Sequence, residues 1–519
     1  YKRQVDGRRY PVRYKVINAN SLRIDTQDTA RIKLTVIPGP DPEDGWWYKF
    51  GQHATRIAMS VRNFSFTYKN TYAMTLPGFR PEVGDMFGQK KHGGFLAPGM
   101  DFAFGFTGDG YIDRALQNDW LICNDSVVSP ASSNALEDLQ LRISLEPIRD
   151  LKIDLTANRT RNRSREIQYM FEGMPDTRSG NFSMSIISIG SAFERPSAGD
   201  GYHSGTFERF RRNLDVIRDR VESQFLGAQY PQGSTLAGKT FDPANGTISK
   251  HSPDVMIPAF LAAYTGKSAR NSALDFFPSL FSMMPNWRIT YTGLTKIAWF
   301  KKNFRSVNLN HAYRSTYSVG SYNTFQSFMS YMGDIGFVED VQSGNPIPSS
   351  RFDISMVSIN EQFSPLIGMD ATLKNGLTAK VEYKTSRILN LSMSACQLVE
   401  TASRDFIIGL GYKIVNFNLF SGRNVKDSKN RVSHDLALRA DISFRNQSAL
   451  CRDIQQGFAQ ATNGNKALKI SCSADYTLSR LLTLRLYYDR QQNTPLVSSS
   501  SYPVVSADFG FSMKFSLTR

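Results

Sequence analysis

Apolar and polar residues alternate one by one over long stretches of the chain, the mark of strands with one greasy and one wet face. Leu139, Leu141, Ile143 and Leu145 are interleaved with Gln140, Arg142 and Ser144. After a short "EPIRD" turn, Leu151, Ile153 and Leu155 are interleaved with Lys152, Asp154 and Thr156. Two such runs so close together predict a tight hairpin. The pattern returns at Leu377, Ala379, Val381 and Tyr383, at Phe406, Ile408, Leu410, Tyr412 and Ile414, and at Leu436, Leu438, Ala440, Ile442 and Phe444. It continues at Leu468, Ile470, Cys472, Ala474 and Tyr476, at Leu482, Leu484, Leu486 and Tyr488, and at Phe509, Phe511, Met513, Phe515 and Leu517. Less regular runs lie near residues 54–75, 181–190, 286–295, 305–317 and 351–360. Together these predict roughly a dozen to fifteen strands, mostly in hairpin order.

One interruption has a helical period. In "GTFERFRRNLDVIRDRVESQF" the residues Phe207, Phe210, Leu214, Ile217 and Val221 recur at steps of three and four, opposite Arg209, Arg211, Arg212 and Arg218. A second helix is expected at "SPDVMIPAFLAAY", with Ser252 as N-cap and Pro253 in the first helical position. The expected organisation is therefore residues 1–199, barrel-type strands with long loops; 200–285, a partly helical insertion; and 286–519, hairpins ending in the C-terminal strand. No internal repeat is visible beyond the hairpins, and no low-complexity tract beyond "SSSS" from Ser498.

Sharp chemical motifs are few. "GSTLAGKT", Gly233 to Thr240 with Lys239, fits the P-loop pattern letter for letter. A P-loop needs a buried strand feeding the glycines and a helix starting at the lysine, so that free N–H groups meet phosphate. Here an amphipathic helix and "QYPQ" precede the motif, while Pro243 and Gly246 forbid an ordinary helix after it. A coincidental polar loop is the expectation, and a soluble P-loop NTPase the remote rival. His53, His92, His203, His251, His311 and His434 lack metal-ligand spacing. Cys123, Cys396, Cys451 and Cys472 show no C-x-x-C and read as small hydrophobes. "PDPEDG" at 40–45 departs from a calcium loop, and no G-x-S-x-G elbow exists. The basic helix interleaves Glu208, Asp215 and Asp219 and reads as a solvated face rather than a nucleic-acid site. No catalytic, cofactor-binding or metal residue is assigned, and the chain is expected not to be an enzyme.

Composition matters mainly for what surrounds the strands. The 519 residues carry a net charge of +16, dispersed along the chain. Mean hydropathy is -0.34. The longest apolar run, "VMIPAFLAAY" from Val255, falls short of the roughly 18 residues of a membrane helix. A spanning strand needs only about 9–11 residues, half of them polar. A soluble sandwich and a membrane barrel both alternate in this way. Three features favour lipid. There are few helices to cover so many one-sided strands. The apolar faces of the best strands carry no charge, whereas the opposite faces carry Arg142, Lys152, Asp154, Lys380, Glu382, Arg439, Asp441 and Lys514. Phe and Tyr crowd the apolar faces and strand ends, as interfacial girdles do. With neither Met nor a signal peptide at Tyr1, a mature or clipped piece is expected.

Several long segments carry a family likeness. "NWRITYTGLTKI" followed by "FKKNFRSVNLNHAYRSTYSVGSYNTF" resembles the core signature of the SprA/Sov family, the outer-membrane translocon of the type IX secretion system. "FSPLIGMDATLKNGLTAKVEYKTSRILNLSMSACQLVE", "DFIIGLGYKI", "SPDVMIPAFLAAYTGK" and "LRISLEPIRDLKIDLTANRTRNRS" resemble the same family. The likeness is weakest in the first 45 residues and in 420–465. It implies an all-β fold, an antiparallel transmembrane β-barrel wall with a small helical insertion, integral to the outer membrane. It implies passage of folded cargo bearing a C-terminal sorting domain, and support of motility in gliding bacteria. The implied partners are that cargo, a PorV-like lateral-gate protein, a periplasmic plug protein, the ring and motor components and outer-membrane lipid; no nucleic acid is implied. Another outer-membrane importer or a porin is the nearer rival. Family members are several times longer, so the chain is expected to be the C-terminal arc of a larger wall. The remaining strands would come from upstream of Tyr1 or from other chains, since an open edge in lipid leaves backbone groups unpaired.

Overall fold

The computed structural model describes residues 2–5, 8–11, 14–18, 21–24, 33–35, 59–82, 84–108, 110–124, 129–168, 176–415, 417, 435–478, 481–497 and 502–515. The "PDPEDG" turn, His53, His434, residues 54–58 of the first irregular run and Leu517 lie outside them. The chain divides into two compact units, Tyr1–Val61 and Arg62–Arg519, where the sequence reading had a single stretch 1–199. The first unit holds β1 (Lys2–Val5), β2 (Arg8–Pro11), β3 (Tyr14–Asn18), β4 (Ser21–Ile24) and β5 (Lys33–Thr35), paired as a β2-β1-β5 sheet and a β3-β4 hairpin.

The second unit is built on one long sheet, beginning with β6 (Val61–Thr75). A small hairpin of β7 (Lys90–His92) and β8 (Phe95–Ala97) follows, with short helices α1 (Met100–Ala103) and α2 (Tyr111–Gln117). The wall then resumes with β9 (Ala131–Ile148), β10 (Leu151–Ile167), β11 (Asp176–Ser185), β12 (Asn286–Tyr291) and β13 (Phe304–Thr324). A three-stranded sheet of β14 (Met329–Met332), β15 (Ile335–Glu339) and β16 (Pro346–Ser350), and the short β17 (Phe352–Ile354), precede β18 (Met356–Leu373). The hairpins β19 (Leu377–Ser392), β20 (Gln397–Ile414), β21 (Leu436–Asp453), β22 (Ala459–Thr477), β23 (Leu482–Pro495) and β24 (Val504–Phe515) complete it. The order is β24-β23-β22-β21-β20-β19-β18-β13-β11-β10-β9-β6, with β12 joining β10 and β13. Among the described residues β24 and β6 pair with no further strand on their outer sides. The fold is thus all-β and antiparallel, as the alternation predicts; the long strands sit where the sequence places them.

β11 and β12 are two halves of one wall strand. β10 pairs with β11 through Arg159–Ile167 and with β12 through Leu151–Thr156, and β13 pairs with both in the same succession. The insertion therefore leaves from the middle of a strand and returns to it, beginning at residue 186 rather than 200. Side chains close the break. The Asn158 N–H donates to Ser185 Oγ (3.0 Å), Asn286 Nδ2 donates to the same oxygen (3.3 Å), and the Ser315 N–H donates to Asn286 Oδ1 (2.7 Å). Backbone groups that would otherwise be orphaned at the gap are satisfied.

Within the insertion, α3 (Gly205–Ser223) starts at Ser204, whose side chain accepts from the Phe207 N–H, and buries Phe207, Phe210, Leu214, Ile217 and Val221. α4 (Pro253–Tyr264) starts at Ser252 with proline in the first turn, but the Ser252 hydroxyl makes no capping bond. Phe210 meets Phe260 edge-on at 6.0 Å. α5 (Ala298–Asn303) and the two short helices before β9 had no periodic signal because one or two turns cannot show one.

Candidate functional site

Pairing register carries the face of each strand across the sheet, because successive side chains point to opposite sides. Tyr383, Phe406, Phe444 and Leu468 lie side by side on β19 to β22, and Val381, Ile408, Ile442 and Ile470 form the next row. Leu410, Ala440, Cys472, Tyr488 and Phe509 make a third, reaching β24. On the other flank, Ile143, Leu155 and Trp287 share this face, as do Leu145, Ile153 and Ile289. The rows form an apolar belt that is open rather than packed: Phe509 is 76% exposed, Phe511 57% and Leu410 48%. Four or five alternate residues span about 20–27 Å along a strand, of the order of the roughly 25 Å apolar band of a membrane barrel.

The other face is wet. Lys380, Asp441, Ser471 and Asp489 form one row there, with Arg439 and Ser473 in the next. Charges on it neutralise one another locally. Lys384 meets Glu382 at 2.9 Å, Arg445 meets Asp405 at 2.9 Å, and Lys152 meets Asp154 at 3.2 Å. All eight of the charged residues assigned to the polar faces from sequence stand opposite the belt.

The belt covers only half of most strands. On β10 the belt-face residues run Leu151, Ile153, Leu155 and Ala157, then Arg159, Arg161, Arg163 and Arg165. Arg163 and Arg159 reach Glu137 at 2.6 and 3.5 Å, and Arg165 reaches Asp176 at 3.0 Å. The rule that apolar faces carry no charge thus holds within the belt, Arg490 beside Ile470 excepted, and stops at its edge.

Beyond that edge the insertion packs on the belt's own side of the sheet. Leu389, Leu391 and Leu398 share a core with Phe207, Phe210 and Phe260. These contacts put the insertion on the belt side of the sheet, where the sequence reading left lumen or rim open. Two buried ion pairs pin it there. Arg387 donates to Glu361 (2.7 Å), to the Ser191 carbonyl (2.6 Å) and to Ser191 Oγ (2.8 Å). Glu361 also accepts from Tyr313 Oη (2.8 Å) and Ser188 Oγ (2.7 Å). Arg452, 1% exposed, donates to Glu400 (3.0 Å) and to the Tyr202 carbonyl (2.6 Å). Burial pushes the Glu194 carboxyl up. Hydrogen bonds from Ser204 and Thr206 and the nearby Arg387 charge outweigh that and hold it below its ordinary range.

Asp254, at the start of α4, accepts from the Ser350 N–H (3.2 Å) and Ser349 Oγ (3.3 Å). Burial raises its pKa in spite of those bonds. A carboxyl that is harder to ionise folded than unfolded favours folding below the ordinary aspartate range. It opposes folding as pH rises through its folded value. Asp254→Asn is therefore expected to melt higher than the parent at neutral pH, with the difference vanishing in acid. Thermal melts at several pH values check this; equal melting at neutral pH would refute it.

The P-loop letters fold into a turn that doubles back on itself. The Tyr230 N–H donates to the Lys239 carbonyl (2.9 Å), Gln229 bridges Thr240, and Gly233 and Gly238 take positive φ of 97° and 76°. No helix begins at Lys239; a single 3₁₀ turn, Pro243–Asn245, follows. The elements that make a phosphate cradle are not assembled around it. Among the described residues no group of three or more His, Cys, Asp or Glu is placed to hold a metal. His311 caps the Leu366 carbonyl (2.7 Å) at a bulge between β13 and β18. On the basic helix Arg211 and Arg220 turn to backbone carbonyls of Ile454 and Ser272. Sequence reading missed Glu361, Arg387, Glu400 and Arg452. Their signal was a charge falling in step with Leu389, Leu391, Leu398 and Leu450 on a greasy face.

Among the described residues no helix is long and apolar enough to cross a membrane. A one-sided apolar belt on long antiparallel strands, with a charged reverse face, is the construction of a transmembrane β-wall, and such walls belong to outer membranes. The chain is an integral outer-membrane β-barrel wall.

No family model matches the chain, and no curated protein matches it. Among solved structures, the β-domain of the Bordetella autotransporter BrkA aligns over 75% of this chain and 92% of its own, at 6% identity and a TM-score of 0.21. OmpT, an outer membrane protein of Vibrio cholerae, aligns over 87% and 98%, at 9% identity and a TM-score of 0.19. At such overlap the assignment to a membrane comes from the chain's own two faces.

Proposed function

We propose that this wall belongs to a protein-conducting outer-membrane translocon of the SprA/Sov type, which exports folded cargo through the type IX secretion system and supports gliding where that occurs. The observation that carries the reading is the continuous belt over a twelve-strand run whose two flanking strands, β6 and β24, stay unpaired among the described residues. Unpaired edges in lipid cost several kcal/mol per backbone group, so further strands must lie beside them. A barrel wider than this run encloses water rather than side chains. The charged reverse face, with its paired Lys, Arg, Asp and Glu, suits such a lumen. The family resemblance supplies the cargo class and the companions: sorting-domain cargo, a PorV-like gate, a periplasmic plug, and ring and motor components. In this reading the chain is a conduit without chemistry of its own and without a bound cofactor.

Depletion of the protein in its host tests the reading. Cargo with type IX sorting domains is expected to accumulate inside the cell and vanish from the surface, while uptake of small solutes continues. Undiminished surface cargo would overturn it, and loss of a nutrient's uptake alone would favour an importer or porin.

A further inference from the structure

At the belt's edge two cations, on β20 and β22, share one row, and a third stands on β23 within the belt. Arg404, Asn446 and Lys466 are opposite one another in register, directly beyond Phe406, Phe444 and Leu468. Arg490 lies one strand further and two rows deeper, beside Ile470, roughly 14 Å along the strands from the Lys466 row. Two strand spacings, roughly 10 Å, separate Arg404 from Lys466, a gap that two long side chains close easily around one anion. Lys466 and Arg490 are exposed and make no ion pair among the described residues, and Arg404 gives only a long bond, 3.4 Å, to the Glu194 carbonyl. The two carboxylates nearby are already engaged: Glu400 by Arg452, and Glu194 by Ser204 and Thr206.

The place is shaped as well as charged. Arg404, Asn446, Ser448 and Lys466 line a cavity of about 300 Å3 roofed by the loop Ala192–Tyr202 of the insertion. Below it, on the same face, a second hollow of about 370 Å3 runs over the small side chains Ala440, Cys472 and Ala474, walled by Leu410, Tyr412, Leu486 and Tyr488. An ordinary lipid-facing row avoids cations, since each costs about 2–4 kcal/mol at mid-depth and little only near the interface. A cationic cavity and an apolar groove three rows, roughly 20 Å, further along the same face match a molecule with a phosphate at one end and long acyl chains at the other.

We propose that the wall carries a specific site for a phosphorylated lipid, its headgroup held by Arg404 and Lys466 under the insertion and its chains running along the belt towards the groove. The site rests on the belt facing lipid. It gives the insertion a membrane-side role, because the bound headgroup touches both the wall and the loop Ala192–Tyr202.

Spin-labelled phosphatidylglycerol and phosphatidylcholine, compared in bilayers holding the assembled wall, test this. The parent is expected to immobilise the anionic lipid in preference, by about fivefold per cationic side chain. The variant Lys466→Gln, which breaks no ion pair, is expected to lose most of that preference while keeping the parent's melting temperature. Arg404→Gln added to it should abolish the rest. Equal immobilisation of both lipids by the parent would remove the site and leave the belt intact. Immobilisation of neither would overturn the belt itself. Displacement of the anionic lipid by millimolar inorganic phosphate would mark a free-anion site and refute the lipid.

Discussion

Replacing Arg387 by methionine is expected to release the helical insertion from the wall, at a cost of about 3–5 kcal/mol. The guanidinium is buried between Glu361 and Ser191, with the Tyr264 ring 5.8 Å away. Removing it leaves Glu361 buried and hydrogen-bonded to Tyr313 and Ser188 but without its partner cation. The strands themselves are held by their ladders and the belt, so the loss falls on docking. Limited proteolysis should then cut between residues 186 and 285 while the barrel hairpins stay resistant. Combining Arg387→Met with Glu361→Leu removes both charges and should restore most of the lost docking, because a matched apolar pair avoids the penalty of the orphan. Resistance equal to the parent's in Arg387→Met alone would show that the pair does not hold the insertion.

The second large effect concerns the belt. Ile442→Arg places a charge between Ile408 and Ile470 at mid-belt and is expected to destabilise the wall in bilayers by about 2–4 kcal/mol. Ser471→Arg puts the same side chain on the reverse face, between Asp441 and Asp489, where it should be neutral or mildly stabilising. Denaturant unfolding in phospholipid bilayers compares the two. Because a charge buried against a second protein layer would also destabilise, Ile442→Trp adds an independent readout. Its fluorescence should be quenched by lipids brominated along the acyl chain. Absence of quenching would place protein, not lipid, over the belt.

How far the sequence revealed all this differs from element to element. The hairpins from Leu377 to Phe515 were readable because each strand holds strict alternation over seven or more residues, and register follows from connections of four or five residues at β19–β20, β21–β22 and β22–β23, though not across the 21 residues between β20 and β21. The break between β11 and β12 was not, since six residues of β12 look like any short run and only pairing with β10 and β13, over a hundred residues away in one direction, shows that it completes a strand. The strands β14 to β17 are three to five residues long, below what alternation can mark. The pinning network was half visible. Continuing the odd count from Val381 through Tyr383 reaches Arg387, a charge on a greasy face that demands a buried partner. Its identity, Glu361, depends on a bulge at Phe363–Ile367 that no local pattern announces.

The split strand has a consequence for how such walls change over time. Ile186 still donates its N–H to the Ser315 carbonyl, and Asn286 takes up the ladder opposite Thr156, so the two ends meet with the intervening ladder position already filled. Joining Ile186 straight to Asn286 would yield an unbroken span without shifting any neighbour by a residue. The 99 residues between, 187–285, are thus a graft on a seam, exchangeable for another cap while the staves of the barrel keep their places.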